Sequence, residues 1–144
     1  MIKIQLATQE HVRAITPKDI FLDNPDLIMV LGREVATGVP YTLVGPEGEI
    51  LAIIGCTCVN RTTAEIWSVT SPLVEKYPIA FHRTCLGLLN RFSSLYRIKR
   101  MQLVVKDGYY QGLTWASRLG FSLEGTMKSY GCDGSDYLLM GRVF

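Results

Sequence analysis

Between Tyr41 and Thr70 the chain carries three short apolar runs separated only by turns, and a helical pattern at 78–97 then leads into a fourth run, Met101–Val105. Strands joined by tight turns lie antiparallel, whereas a strand, a helix and a second strand in succession bring the chain back parallel through a crossover. A chain that holds both kinds of connection must build a mixed sheet with helices packed against it, which is an α+β fold.

The rest of the pattern fills in that frame. Ile2, Ile4 and Leu6 alternate with polar residues and predict a strand over 2–7. Thr8 is a helix N-cap for Gln9–Ile15, and Thr16-Pro17 breaks and restarts the chain. A second helical stretch starts from Asn24-Pro25, carries Leu27, Met29, Val30, Leu31 and Val35, and ends at Gly38. Tyr41–Val44 and Ile50–Val59 form a hairpin about the turn Gly45-Pro46-Glu47-Gly48, and Ala64–Thr70 follows the polar turn Asn60-Arg61-Thr62-Thr63. In the long helix Ile79, His82, Leu86, Leu89, Phe92 and Tyr96 recur at spacings of three and four, which predicts the buried stripe; Arg83, Asn90 and Arg97 fall on other faces. Met101–Val105 is nearly continuous in apolar residues, as a central or parallel strand is. Gln111–Leu119 is a helix closed by Gly120, and strands Ser122–Ser129 and Tyr137–Val143 flank the turn Gly131-Cys132-Asp133-Gly134. The order is β-αα-β-β-β-α-β-α-β-β, with no repeat or linker, and 144 residues predict one domain, 1–144.

Composition excludes several classes. With 48% apolar and 19% charged residues the chain is not a disordered tail. A net charge of +2 gives no broad basic face, so no specific nucleic-acid partner is expected. No apolar run approaches the roughly 18–20 residues that span a bilayer, and a membrane partner is not expected. The N-terminus has no cationic head followed by an apolar stretch, so the expected compartment is the cytoplasm, or the interior of a particle assembled there. Cys56 and Cys58 flank one residue and read as alternate positions on a strand face; with only His11 and His82 available, far off in sequence, the four cysteines including Cys85 and Cys132 read as buried free thiols, a metal site or disulfide being the alternative.

The order of elements, with Trp115-Ala-Ser-Arg-Leu-Gly-Phe121-Ser-Leu-Glu-Gly125 and then Tyr130, Asp133-Gly134 and Asp136-Tyr137-Leu138-Leu139, resembles the GNAT (Gcn5-related N-acetyltransferase) superfamily, in particular the acetyltransferases that modify protein N-termini. The physics agrees: Gly120 ends the helix, Phe121 folds back into the core and Gly125 permits a kink. The resemblance implies a GNAT-like mixed central sheet, acetyl-CoA as acyl donor and an amine as acceptor. It places the diphosphate loop on Glu75-Lys76-Tyr77-Pro78-Ile79-Ala80, where the family carries Gln/Arg-x-x-Gly-x-Gly/Ala and holds the anion with backbone N–H groups and a helix N-terminus. The cation of that pattern becomes Glu75, its first glycine becomes Pro78, and Ala80 agrees. A carboxylate repels a diphosphate, and proline has no N–H to donate, although proline also starts helices well. Lys76 and Arg83 could replace the missing charge. The implied cofactor contacts are therefore Val69, Thr70, Lys76, Tyr77, Ile79, Ala80 and Arg83.

For catalysis, many members place a thiolate-protonating tyrosine where this chain has Ala116, and Tyr109 or Tyr110 are the candidates to substitute; their plainer reading is packing with a wet hydroxyl. Glu65 is the candidate base, with partial burial expected to raise its pKa; its plainer reading is a solvated strand-end carboxylate. His82 reads as a core histidine. Arg91, Arg97, Lys99 and Arg100 make a cationic end to the long helix. A second, narrower resemblance rests on Thr16-Pro17, Trp67-Ser68-Val69-Thr70-Ser71 and a long helix without the glycine loop: these are similar to the GNAT-like internal virion proteins of short-tailed bacteriophages. It implies a catalytically inactive assembly protein with phage virion proteins as partners, located in the host cytoplasm or the virion.

Overall fold

The computed structural model describes residues 1–18, 27–38 and 40–144. They form β1 (Lys3–Leu6), α1 (Gln9–Ala14), α2 (Leu27–Thr37), β2 (Tyr41–Val44), β3 (Ile50–Cys58), β4 (Thr63–Thr70), a 3-10 helix (Pro72–Lys76), α3 (Pro78–Tyr96), β5 (Arg100–Lys106), α4 (Tyr110–Arg118), β6 (Ser122–Met127) and β7 (Tyr137–Val143). The expected order is present, with the 3-10 helix as an addition. The start of the second helical stretch at Asn24-Pro25 lies outside the described residues.

Hydrogen bonding orders the strands β1-β2-β3-β4-β5-β7-β6. β4 and β5 are parallel, Glu65 opposite Gln102, because α3 carries the chain between them. The pairs β1–β2, β2–β3, β5–β7 and β6–β7 are antiparallel. Packing gathers the chain into two compact units, Met1–Cys56 with Trp67–Thr84, and Thr57–Ile66 with Cys85–Phe144.

In the first unit Thr8 caps α1 as its sequence position predicts. Its hydroxyl accepts the His11 N–H at 3.2 Å, and its own N–H donates to His11 Nδ1 at 3.2 Å. Capping fixes the helix so that Val12 and Ile15 join Leu31, Ile53 and Val69 in a buried cluster, with Ala7, Val35, Ile50 and Trp67 packed against it. Burial of each such side chain contributes about 1.5–3 kcal/mol. Trp67 lies across Gly55 of β3: a Cβ there would sit 2.4 Å from Trp67 Cζ2. The hairpin turn closes through Gly45 N–H to Glu49 O at 2.8 Å, with Gly48 at φ +82°.

In the second unit α4 stops as expected. Gly120 adopts φ +94° and Phe121 N–H reaches back to Ala116 O at 3.1 Å, which drives the Phe121 ring into the core. Helix α3 ends in the same kind of turn with Arg97 at φ +53°, and Ile98 N–H bonds to Ser93 O at 3.0 Å. The kink expected near Gly125 is a bulge one residue earlier: Leu123 pairs with Met140 and Gly125 with Leu139, leaving Glu124 as the extra residue. Glu124 uses that displacement to bind Arg100, Oε1 to Nη2 at 2.6 Å and Oε2 to Nη1 at 2.9 Å.

Three expectations are corrected. The stripe of α3 that is buried runs through Phe81, Cys85, Leu88, Leu89 and Phe92; of the predicted stripe Ile79 is 67% and Tyr96 39% exposed, and His82 and Leu86 are half-buried. Apolar residues occupy adjacent stripes of this helix, so spacing of three and four does not choose between them. Only Cys85 is a buried thiol: Cys56 is half-buried, Cys58 lies at the exposed end of β3 and Cys132 at a hairpin tip, and none of the four forms a disulfide. Arg100 is not part of a cationic helix end but a strand residue paired with Glu124.

Candidate functional site

In the first unit the seven residues expected to contact an acyl-CoA follow one another from the end of β4 into α3. Val69 and Thr70 are buried at the end of the strand. Ser71, also buried, initiates the 3-10 helix: its N–H donates to Leu51 O at 2.8 Å and its hydroxyl accepts Leu73 N–H at 3.2 Å. Ser-Pro at the start of a helix is a capping signal legible in Ser71-Pro72. The turn consumes backbone donors. Val74 N–H bonds to Ser71 O, Tyr77 N–H to Val74 O and Phe81 N–H to Tyr77 O, and Pro72 and Pro78 carry none. Ile79 and Ala80 remain, both exposed in the first turn of α3, where helix geometry supplies no carbonyl partner.

The charges around that turn follow an arrangement the sequence does not reveal. Glu75 is 3.5 Å from Lys18 Nζ, and the Lys18 side chain is only 13% exposed against 61% for Glu75. Lys18 is itself anchored, its N–H donating to Thr70 O at 2.8 Å. Lys76 and Arg83 are exposed, and among the described residues neither forms an ion pair. The Tyr77 hydroxyl donates to Glu49 Oε2 at 3.4 Å; partial burial, followed by the Glu49 and Glu47 carboxylates, holds its pKa above the ordinary phenol value. The set fits the anionic end of an acyl-CoA through two cations and two helix-end amides. It lacks the glycine-lined turn, and Tyr77 can contribute its side chain but not its N–H.

In the second unit Glu65 is half-buried on β4, in register with Gln102 of β5. Tyr109 stands at the cap of α4 and bonds Gln111 Oε1 through its hydroxyl at 3.4 Å; its ring lies against Gly112, where a Cβ would meet Tyr109 Cδ2 at 2.6 Å. Tyr110 is 79% exposed. Ala116 is packed at 1% exposure in the unit's core. The unit's hairpin tip is fixed by Asp133, which accepts from Ser135 N–H at 3.0 Å, Ser135 Oγ at 2.6 Å and Lys106 Nζ at 3.0 Å; these bonds hold its carboxyl far below the usual range. Among the described residues no three His, Cys, Asp or Glu side chains are grouped to hold a metal, and no helix is long and apolar enough to cross a membrane.

No protein-family model matches the sequence and no curated protein matches it. Solved structures do match the fold. A GNAT-family acetyltransferase from Bacillus anthracis superposes with a TM-score of 0.78 at 13% identity, over 99% of this chain and 94% of that one. Ard1 from Thermoplasma volcanium gives 0.72 at 17% identity, over 99% and 97%. The ribosomal-protein-S5-alanine acetyltransferase from Vibrio fischeri gives 0.71 at 14% identity, over 99% and 92%. The described residues therefore have the GNAT fold. None of these three links it to a phage virion protein.

Proposed function

We propose that the chain is an acetyl-CoA-dependent N-acyltransferase that acts on an amine. The observation that carries the reading is the start of α3: the exposed cations Lys76 and Arg83 bracket Ile79 and Ala80 in sequence, and the adverse carboxylate Glu75 is engaged by Lys18. An anion at a helix N-terminus beside two cations is favoured by both the amides and their charge.

Acetyl-CoA supplies a thioester carbonyl, an electrophile at which a neutral amine can attack. In the first unit Lys76 and Arg83 with the amides of Ile79 and Ala80 would hold the diphosphate, Tyr77 would border it, and the backbone of Val69 and Thr70 would position the acyl group. The second unit carries candidate proton-transfer groups of its own, Glu65 as a base and a tyrosine as an acid; of the two tyrosines Tyr109 is the better candidate, because its ring lies against Gly112 whereas Tyr110 is 79% exposed. Positioning and carbonyl polarisation account for most of such a rate, so the packed Ala116 at the family's tyrosine position is compatible with activity.

The test is mass-spectrometric detection of acetyl transfer from acetyl-CoA to polyamines, lysine and N-terminal peptides. Wild-type protein acetylates at least one class, Glu65→Gln lowers kcat by about 10²-fold, and Lys76→Glu with Arg83→Glu raises the acetyl-CoA KM. Absence of product with every amine, together with absence of acetyl-CoA binding, would overturn the reading.

A further inference from the structure

We infer that Lys18 is a positioning residue for the acyl-CoA diphosphate, acting through Glu75 rather than by contact with the ligand. The inference rests on the acyl-CoA reading above. Lys18 lies more than fifty residues before the loop in sequence, yet its N–H is bonded to Thr70 O at 2.8 Å and its ammonium is 3.5 Å from the Glu75 carboxylate. Lys18 is the more enclosed partner, 13% exposed against 61%, so its ammonium is the better shielded charge of the pair. Pairing with Lys18 offsets the field of a carboxylate that lies four and five residues before Ile79 and Ala80 in the chain. A carboxylate that has lost its pairing with Lys18, with solvent on one side, weakens diphosphate binding by about three- to tenfold.

A charge cycle separates this role from a merely structural one. Coenzyme A is titrated calorimetrically into wild type, Lys18→Gln, Glu75→Gln and the double variant, each checked for an unchanged thermal transition. The backbone bond from residue 18 to Thr70 survives every substitution. Lys18→Gln binds coenzyme A about three- to tenfold more weakly, Glu75→Gln binds as tightly as wild type or tighter, and the double variant returns to within about twofold of wild type. Wild-type affinity in Lys18→Gln, or a double variant as weak as Lys18→Gln, would overturn the inference while leaving the acyl-CoA reading intact. Wild type that binds no coenzyme A would overturn both.

Discussion

Gly55 is where the first unit is most exposed to a single methyl group. Carbon atoms pack at about 3.5–4.0 Å, and a Cβ at position 55 would stand 2.4 Å from Trp67 Cζ2, 2.7 Å from Cε2 and 3.1 Å from Cη2. These are atoms of a rigid ring, so Gly55→Ala must displace the whole indole from its place against Val12, Ile15, Leu31, Ile53 and Val69. Among the described residues Trp67 Nε1 is buried without a hydrogen-bond partner, so packing holds the ring. Overpacking of this kind costs about 1–3 kcal/mol, offset by about 0.5–1 kcal/mol because alanine is less costly than glycine in a strand. The net loss is up to about 2.5 kcal/mol, or a Tm lower by up to roughly 8 °C for a chain of this size. Urea denaturation of a double-mutant cycle isolates the cause. Trp67→Leu removes the ring that collides, and in that background Gly55→Ala becomes neutral or stabilising by up to about 1 kcal/mol. The same loss in both backgrounds, within about 0.3 kcal/mol, would refute the steric argument.

Other consequences are equally direct. Arg97 holds a left-handed conformation at the end of α3, and Arg97→Gly should stabilise the chain by about 0.5–1 kcal/mol in thermal denaturation. Thr8→Ala removes the hydroxyl that accepts His11 N–H and should cost about 1 kcal/mol by the same measurement. Burial pushes the Cys85 thiol up to about 12, so in the native protein iodoacetamide should modify Cys58 and Cys132 and spare Cys85. Because the folded pKa is raised, Cys85 withdraws stability as pH rises from 9 toward 12, and Cys85→Val should flatten that limb relative to wild type. Asp133 and Asp136 are depressed instead, first by their hydrogen bonds from Ser135 and Ser129; their stabilisation is present above the unfolded carboxylate range and is lost as pH falls below it, and Asp133→Asn should shallow the acid limb.

Elements defined by a local signal were legible in the sequence. Thr8 before a helical run, Gly48 in a two-strand turn and Gly120 before an aromatic residue each carry their structural role in a few adjacent residues. The parallel strand β5 was legible for a different reason: its run Met101–Val105 is nearly continuous in apolar residues, as a strand in a parallel pair is, although only Met101 and Val105 are fully buried. What stayed hidden depends on residues far apart. Nothing near Lys18 announces Glu75, and nothing near Arg100 announces that a bulge twenty-four residues later delivers Glu124 to it. Gly141 lets that pair cross β7: a Cβ there would meet Glu124 Oε2 at 2.5 Å and Arg100 Nη1 at 2.8 Å. The buried stripe of α3 failed for want of contrast, because Ile79 and Phe81 are equally apolar and only the surrounding chain distinguishes them. At the candidate site the family pattern directed attention to the loop at 75–80. The fate of the backbone donors was not legible, since it depends on the 3-10 helix that Ser71 caps and that engages Tyr77 N–H through Val74 O.

The account stands on an acyl-CoA held at the start of α3, and calorimetric titration of the purified chain with acetyl-CoA and coenzyme A tests that most directly. Binding with a Kd in the micromolar range, about −8 kcal/mol, weakened by added salt and by Arg83→Glu, is the predicted result. No heat and no thermal stabilisation at millimolar ligand would contradict the account and leave the GNAT fold of this chain without its cofactor.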